Sequence, residues 1–404
     1  MDLATLYALR SPAGVPSHPV IFLVLGVLTW ALHILAVHVT LGSSLLSLIG
    51  LTRREGVNVG HWRRLALMLL NHAKVGVSIA IVVGVAPLLF VQVIYDPFWY
   101  VSNVLSARWA IGFIVMLLLA YWALWLHYTR VHHHKANAPA PLAWGVVSLA
   151  LLLVVGFIMH VLTSQMLHPE AWKEWYAPGG VIDASGSHIH AFNPARFGFF
   201  IALALPVTGA WLMACRKYLS GRDTEDNAYL NFLGQVAGKL TLIGGILALA
   251  LLAAWMLTLP AETSNFALSP WTALAALTVA LLMVLGKTGL NGYWAFAWAL
   301  VTALAAGILR EAYRYAVLYG VHGYDFMNYK IVMDWYSTLL FFITFAVVGG
   351  VSLAFMISLA WKAGQTRGVY TAGPVVSKLG TLTLVVTSLW VVQYFVFGAL
   401  TLMQ

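Results

Sequence analysis

His33 and His38 stand five residues apart in LHILAVHVTLG (residues 32–42), a stretch with no acid and no Lys or Arg. His72 and Lys74 interrupt a second apolar stretch, NHAKVGVSIAIVVGVAPLLFVQ (residues 71–92), and His160 a third. Glu311, with Arg310 and Arg314, closes another. Ionisable groups inside apolar spans are expensive, so each is a functional hypothesis by default. Neutral imidazole is also the side chain most used to ligate haem iron and other transition metals.

Helical geometry limits how these residues combine. At about 1.5 Å per residue, His38 lies roughly 7–8 Å from His33 along the axis, turned by about 140°. The two rings face different sectors, which suits two cofactors at two depths better than one shared metal. His72 is nearest in depth to His38, and His160 is matched with His33. The expected arrangement is therefore one or two haems b, with His33, His38, His72 and His160 as iron ligands. Lys74 is expected beside them, meeting a haem propionate or a buried carbonyl, or lining a proton path. The plainer alternative for each histidine is a hydrogen bond to a carbonyl or hydroxyl on a neighbouring helix. His127 sits at the edge of a span. The run His132 to His134 reads as a solvated basic turn, and His168, His188 and His190 as surface residues of a loop.

The elements that must hold these groups follow from composition. The chain has 404 residues, 61% hydrophobic and 9% charged, far from the balance of soluble domains, which are about 25% charged. An all-α integral membrane protein is expected, with about ten spans near 19–50, 65–94, 106–128, 141–166, 196–215, 236–258, 268–287, 291–309, 336–361 and 379–403. They form a single polytopic domain over 1–404, with a haem-type four-helix core at about 19–166 and the remaining helices at about 196–403. One set of alternate loops holds fourteen Lys and Arg and the opposite set seven. The positive-inside rule puts the first set in the cytoplasm and both termini outside. This bias accounts for the net charge of +9, and no basic–aromatic platform suggests nucleic acid. The single Cys215 excludes a disulfide framework or a thiolate cluster. The segments 167–195 and 310–335 are rich in Trp and Tyr, as interfacial segments are, and suit an amphiphile or a docked partner.

Several of these stretches resemble subunit I of the cytochrome bd quinol oxidases. His33 aligns with the family's first-span haem ligand and Thr40-Leu41-Gly42 with the tail that follows it, while His38 stands where the family has proline. In the second span Lys74 matches the family's lysine and Gly84-Val85-Ala86 its Gly-Val-Ala. SQMLHP (164–169) and FNPARF (192–197) resemble later family segments, and REAYR places Glu311 and Arg314 on the family's acid and arginine. The resemblance spans roughly residues 20–365 and is specific in the first two spans. The family's carboxylates fall on Gln92 and near Trp109–Ile111, its fifth-span histidine near Phe199–Phe200, its methionine on Ala316 and its ninth-span glutamate among Val348–Leu353. Only His33 survives of the ligand set, and the long quinol loop shrinks to LPAETSNFALSP (259–270).

The resemblance and its gaps together imply a cytochrome b-like subunit of a respiratory complex in the bacterial cytoplasmic membrane. It would carry electrons between the quinone pool and a periplasmic redox partner such as a cytochrome c, with Glu311 and Arg314 at the quinone site. The alternatives are a divergent bd-type quinol:oxygen oxidoreductase subunit and a haem-free transporter or scaffold.

Overall fold

The computed structural model describes residues 2–133, 141–222, 225–288, 291–366 and 368–402. His134, Lys135, Arg367 and the last residue of the tenth expected span lie outside them. Among the described residues every regular element beyond one isolated bridge is helical. Ten helices among the described residues are long and apolar enough to cross a bilayer, which makes the chain an all-α, multi-pass membrane protein in contact with lipid.

A short helix α1 (Leu3–Ala8) precedes the first span, α2 (Pro19–Thr52). Then come α3 (Val59–Ile94), the short α4 (Asp96–Leu105), α5 (Ala107–His132), α6 (Ala143–Gln165) and the single turn α7 (Trp172–Tyr176). The fifth span is divided into α8 (Pro194–Ala202) and α9 (Ala204–Leu219). Pro206 explains the break, because it offers no N–H to the carbonyl one turn back and its ring crowds that carbonyl. Next are α10 (Asn227–Leu257), α11 (Pro270–Thr288) and α12 (Gly292–Tyr315), the last running into a wide π turn over Ala316–Val321. Several helices begin earlier than hydropathy alone suggests. The Asp226 side chain caps α10 by accepting from Ala228 N at 2.9 Å, so the helix starts well outside its apolar stretch.

The chain divides into two compact units. The larger comprises residues 1–12 and 19–329 and holds the first eight spans. Because consecutive spans alternate in direction, residues 1–12, 95–106, 166–193, 258–269 and 316–329 gather at one end, termed here the N-terminal face. The smaller unit comprises 13–18 and 330–404. In it α13 (Trp335–Phe342) passes through a wide turn into α14 (Gly350–Gln365), and α15 (Pro374–Leu402) returns alongside. Trp390 Nε1 donates to Thr344 Oγ1 at 2.7 Å, and the Tyr336 and Phe397 rings lie 4.7 Å apart.

Small residues decide which helices of the larger unit approach closely. A Cβ on Gly42 of α2 would lie 2.0 Å from Thr208 Oγ1 of α9, and one on Gly84 of α3 would lie 2.7 Å from the His33 ring. With no hydrophobic force between helices in lipid, such close packing is a principal source of association. Some buried hydroxyls bond carbonyls of neighbouring helices: Ser47 donates to Ala66 O at 2.9 Å and Ser148 to Ala120 O at 2.8 Å. Gly42→Ala is expected to destabilise the purified protein by about 1–3 kcal/mol, the usual cost of overpacking. Gly112→Ala, where nothing lies within 4 Å, serves as the neutral comparison in the same melting experiment.

Candidate functional site

The four span histidines do not share one environment. His33 Nδ1 donates to Ala80 O of α3 at 2.9 Å, which leaves the Nε2 lone pair free. His38 is the reverse: Nε2 donates to Phe200 O of α8 at 2.8 Å, and the buried Nδ1 has no partner. His72 Nδ1 accepts from Trp211 Nε1 of α9 at 3.1 Å, which puts its proton on Nε2. His160 Nε2 accepts the Asn193 backbone N–H at 3.2 Å. His127 Nδ1 donates to Pro141 O at 3.1 Å. Lys74 meets aromatic rings, with Nζ 3.6 Å from the Tyr128 centroid and 4.8 Å from that of Trp125, a cation–π placement.

These bonds test the fit of a haem. An axial imidazole ligates through the nitrogen without a proton while its other N–H donates to a carbonyl or carboxylate. His33 has this pattern through Nε2. His38 has it through Nδ1, because its Nε2–H donates to Phe200 O, whereas in His72 and His160 the unprotonated nitrogen already accepts a protein N–H. In each expected pair, His33 with His160 and His38 with His72, one ring keeps a free nitrogen and the other has its lone pair engaged by the protein.

A denser constellation lies beneath the N-terminal face. Glu311, Arg314 and Arg196 are 7%, 3% and 4% exposed. Arg314 Nη1 bridges both Glu311 carboxylate oxygens at 2.7 and 2.9 Å, and Arg310 Nη2 stands 3.5 Å from the same carboxylate. Arg310 and Arg314 occupy the last turns of α12, where the helix dipole favours cations. Arg196 enters from the first turn of α8, whose start is capped by the Asn193 side chain at 2.8 Å. Aromatic rings wall the cluster. The Arg314 guanidinium lies 4.9 Å from the Tyr95 ring, that of Arg310 4.4 Å from Trp30, and that of Arg196 5.5 Å from Trp255 and 5.8 Å from Tyr313. Arg310 is in electrostatic range of His33, and Arg196 of His160. The structure thus brings Glu311 and Arg314 together as expected of neighbours on one helix, and sets His33 and His160 at the margins of the same charged cluster. His38 instead bonds a carbonyl of α8, and His72 and Lys74 have aromatic partners elsewhere.

Arg196 and Tyr95 were not legible as site residues. Arg196 looks like one more flanking cation in FNPARF, and Tyr95 like one interfacial aromatic among many. Each joins Glu311 only through long-range packing.

The loops above the cluster are tied together by polar contacts. Arg10 is caged by Tyr7, Tyr324 and Tyr329, with ring centroids 4.4, 4.3 and 4.0 Å away, and it donates to Tyr324 Oη at 2.8 Å and Asp325 O at 2.6 Å. Asp96 accepts from Ser11 N at 2.8 Å and from the Tyr329 hydroxyl. Burial pushes the Tyr324 phenol up to about 12 and raises that of Tyr329 as well, with Tyr324 and the Asp96 carboxylate adding to the rise. Glu170 reaches His168 at 3.0 Å and His322 at 3.3 Å, and Asp183 reaches His188 at 3.2 Å. No group of three or more His, Cys, Asp and Glu with metal-ligand geometry occurs among the described residues. Comparison with known protein families and with curated proteins finds no match to this chain.

Two outcomes follow from these contacts. Glu311→Gln removes the one acid, among the described residues, that faces the buried Arg314 and Arg196 and the partly buried Arg310, and is expected to cost about 3–5 kcal/mol, as breaking a buried pair does, read from thermal unfolding in detergent. His322, beside Glu170 and His168, has its pKa lowered, chiefly by burial. Its unfolded form then binds protons more readily, so its contribution is intact above the ordinary value of about 6.5 and is lost as pH falls below it. His322→Gln should therefore flatten the loss of melting temperature between about pH 7 and pH 5.

Proposed function

We propose that this chain is the quinone-binding membrane subunit of an electron-transfer complex in the bacterial cytoplasmic membrane, a divergent relative of cytochrome bd subunit I. The observation that carries this reading is the buried Glu311–Arg314 pair, roofed by Tyr95, beneath an aromatic face. A quinone carbonyl accepts hydrogen bonds from a guanidinium or a phenol, a quinol hydroxyl donates to a carboxylate, and the ring stacks on aromatic faces. Arg314 holds the carboxylate in one place, so the headgroup meets a positioned acceptor and donor. Quinol oxidation releases two protons and two electrons. Glu311 receives the two protons in turn and passes each toward the polar loops of the N-terminal face, which by the loop charge bias is the periplasmic side. A haem b would supply a one-electron path to a periplasmic redox partner such as a cytochrome c, and His33 is the residue that would hold its iron. The partner docks on the Trp- and Tyr-rich segments of the larger unit, 167–195 and 310–329.

Oxygen reduction of the bd type is not part of this reading, because the positions of two carboxylates and three haem ligands hold Gln92, Phe199 or Phe200, Ala316 and other groups that supply neither. A haem-free transporter or scaffold is the second reading, favoured by the lone pairs of His72 and His160 that already accept protein N–H groups.

A reduced-minus-oxidised spectrum of the purified protein with pyridine haemochrome quantitation separates the two. The expected result is one haem b per chain, lost in His33→Ala and retained in His38→Ala, His72→Ala and His160→Ala. A protein without haem supports the second reading, and four variants that all keep the cofactor remove His33 from the site. Glu311→Gln should lower quinol oxidation by the haem-containing complex about tenfold or more, in line with the loss of a positioned proton acceptor.

A further inference from the structure

The Glu311–Arg314 pair balances itself, and among the described residues no other carboxylate reaches Arg196 or Arg310. The buried Arg196 and the partly buried Arg310 are left without a carboxylate of their own. Arginine does not shed its proton in proteins, so the charge cannot be relieved by neutralisation. Nor is it relieved by hydrogen bonding. The Arg196 and Arg310 Nε atoms are buried without any partner. The Arg196 side chain, 96% buried, makes no hydrogen bond to the described residues, and Arg310 has only the 3.5 Å approach to the shared carboxylate. A desolvated, unpaired charge costs several kcal/mol, which a fold does not sustain without a counter-ion.

The two side chains share one aromatic wall. Arg310 lies on Trp30, whose ring packs edge-on against Phe200 at 5.6 Å. Phe200 lies 6.0 Å from Trp255, over which Arg196 sits, and Trp255 meets Tyr313 at 5.6 Å. The rings of Trp30, Phe200 and Trp255 carry no oxygen acceptor and the wall's one phenol, Tyr313, makes no hydrogen bond to either guanidinium, so an acceptor for them comes from elsewhere. The first turn of α8, which carries Arg196 and no acid, adds partial positive charge. We propose that Arg196 and Arg310 form a buried binding site for an oxyanion, a phosphate or carboxylate group, adjacent to and separate from the Glu311–Arg314 pair. Guanidinium forks match both groups in geometry and charge. The site stands whether or not the chain carries electrons, and it is measured without haem or quinone.

The test uses the full-length protein, delipidated in a neutral detergent and melted with inorganic phosphate, with phosphatidylglycerol or with phosphatidylcholine. Phosphate or phosphatidylglycerol should raise the melting temperature with dose and saturation, and phosphatidylcholine should not. A response to phosphate identifies a free oxyanion, and a response to phosphatidylglycerol alone identifies a lipid headgroup. Arg196→Gln should weaken the response at least about tenfold, the value of a lost charge-assisted bond. Without anion it should melt above the parent, since it removes an uncompensated charge, and with saturating anion below it. Arg310→Gln should show the same crossing, and Arg130→Gln, a surface change, should leave the response intact. The proposal is overturned if neither anion shifts the parent, or if both cluster variants respond as the parent does.

Discussion

The Arg314–Glu311 bond governs much of the larger unit's N-terminal end. A carboxylate and a guanidinium both nine-tenths buried in a lipid-facing bundle persist only if they face each other, and one nitrogen bridging both oxygens at 2.7 and 2.9 Å provides that. The pair fixes the end of α12, and with it the positions of Arg310 and Tyr313. Those in turn order Trp30 from α2 and Trp255 from α10. Tyr95, at the close of α3, completes the roof. Helices that have no water-driven reason to associate are gathered at this end around charge and aromatic faces.

Away from the cluster the same problem is solved with small residues. Gly42 and Gly84 bring α2 within reach of α9 and α3, and that proximity decides what the histidines do. Once α3 stands this close, His33 bonds Ala80 O, and His38 turns to Phe200 O of α8. The rings are then part of the packing, each with a nitrogen committed to a particular neighbour. The commitment distinguishes His33 and His38, which each donate to a carbonyl and keep one nitrogen free, from His72 and His160, whose lone pairs already accept protein N–H groups.

The span pattern was readable because hydrocarbon imposes it: a segment that must bury every backbone group over about 30 Å has to be helical, apolar and about twenty residues long. Glu311 and Arg314 were readable for a related reason, since three residues on one helix put them on one face and an acid at that depth needs a cation. The matching of His38 with His72 and of His33 with His160 rested on depth alone. Depth leaves the rotation of each helix open, and rotation is set by which glycine faces which side chain.

Read by itself, the sequence determined the class of solvent, the ten spans and their alternation, and the short set of groups too polar for where they sit. Those are local properties, dictated by the transfer cost of each residue and the period of one helix. The tertiary structure decided the partners. Arg196 and Glu311 are 115 positions apart in the chain, and no local rule relates them. Only the packing of α8 against α10, and of α12 against α2, sets three guanidiniums around one carboxylate and leaves two of them in need of an anion.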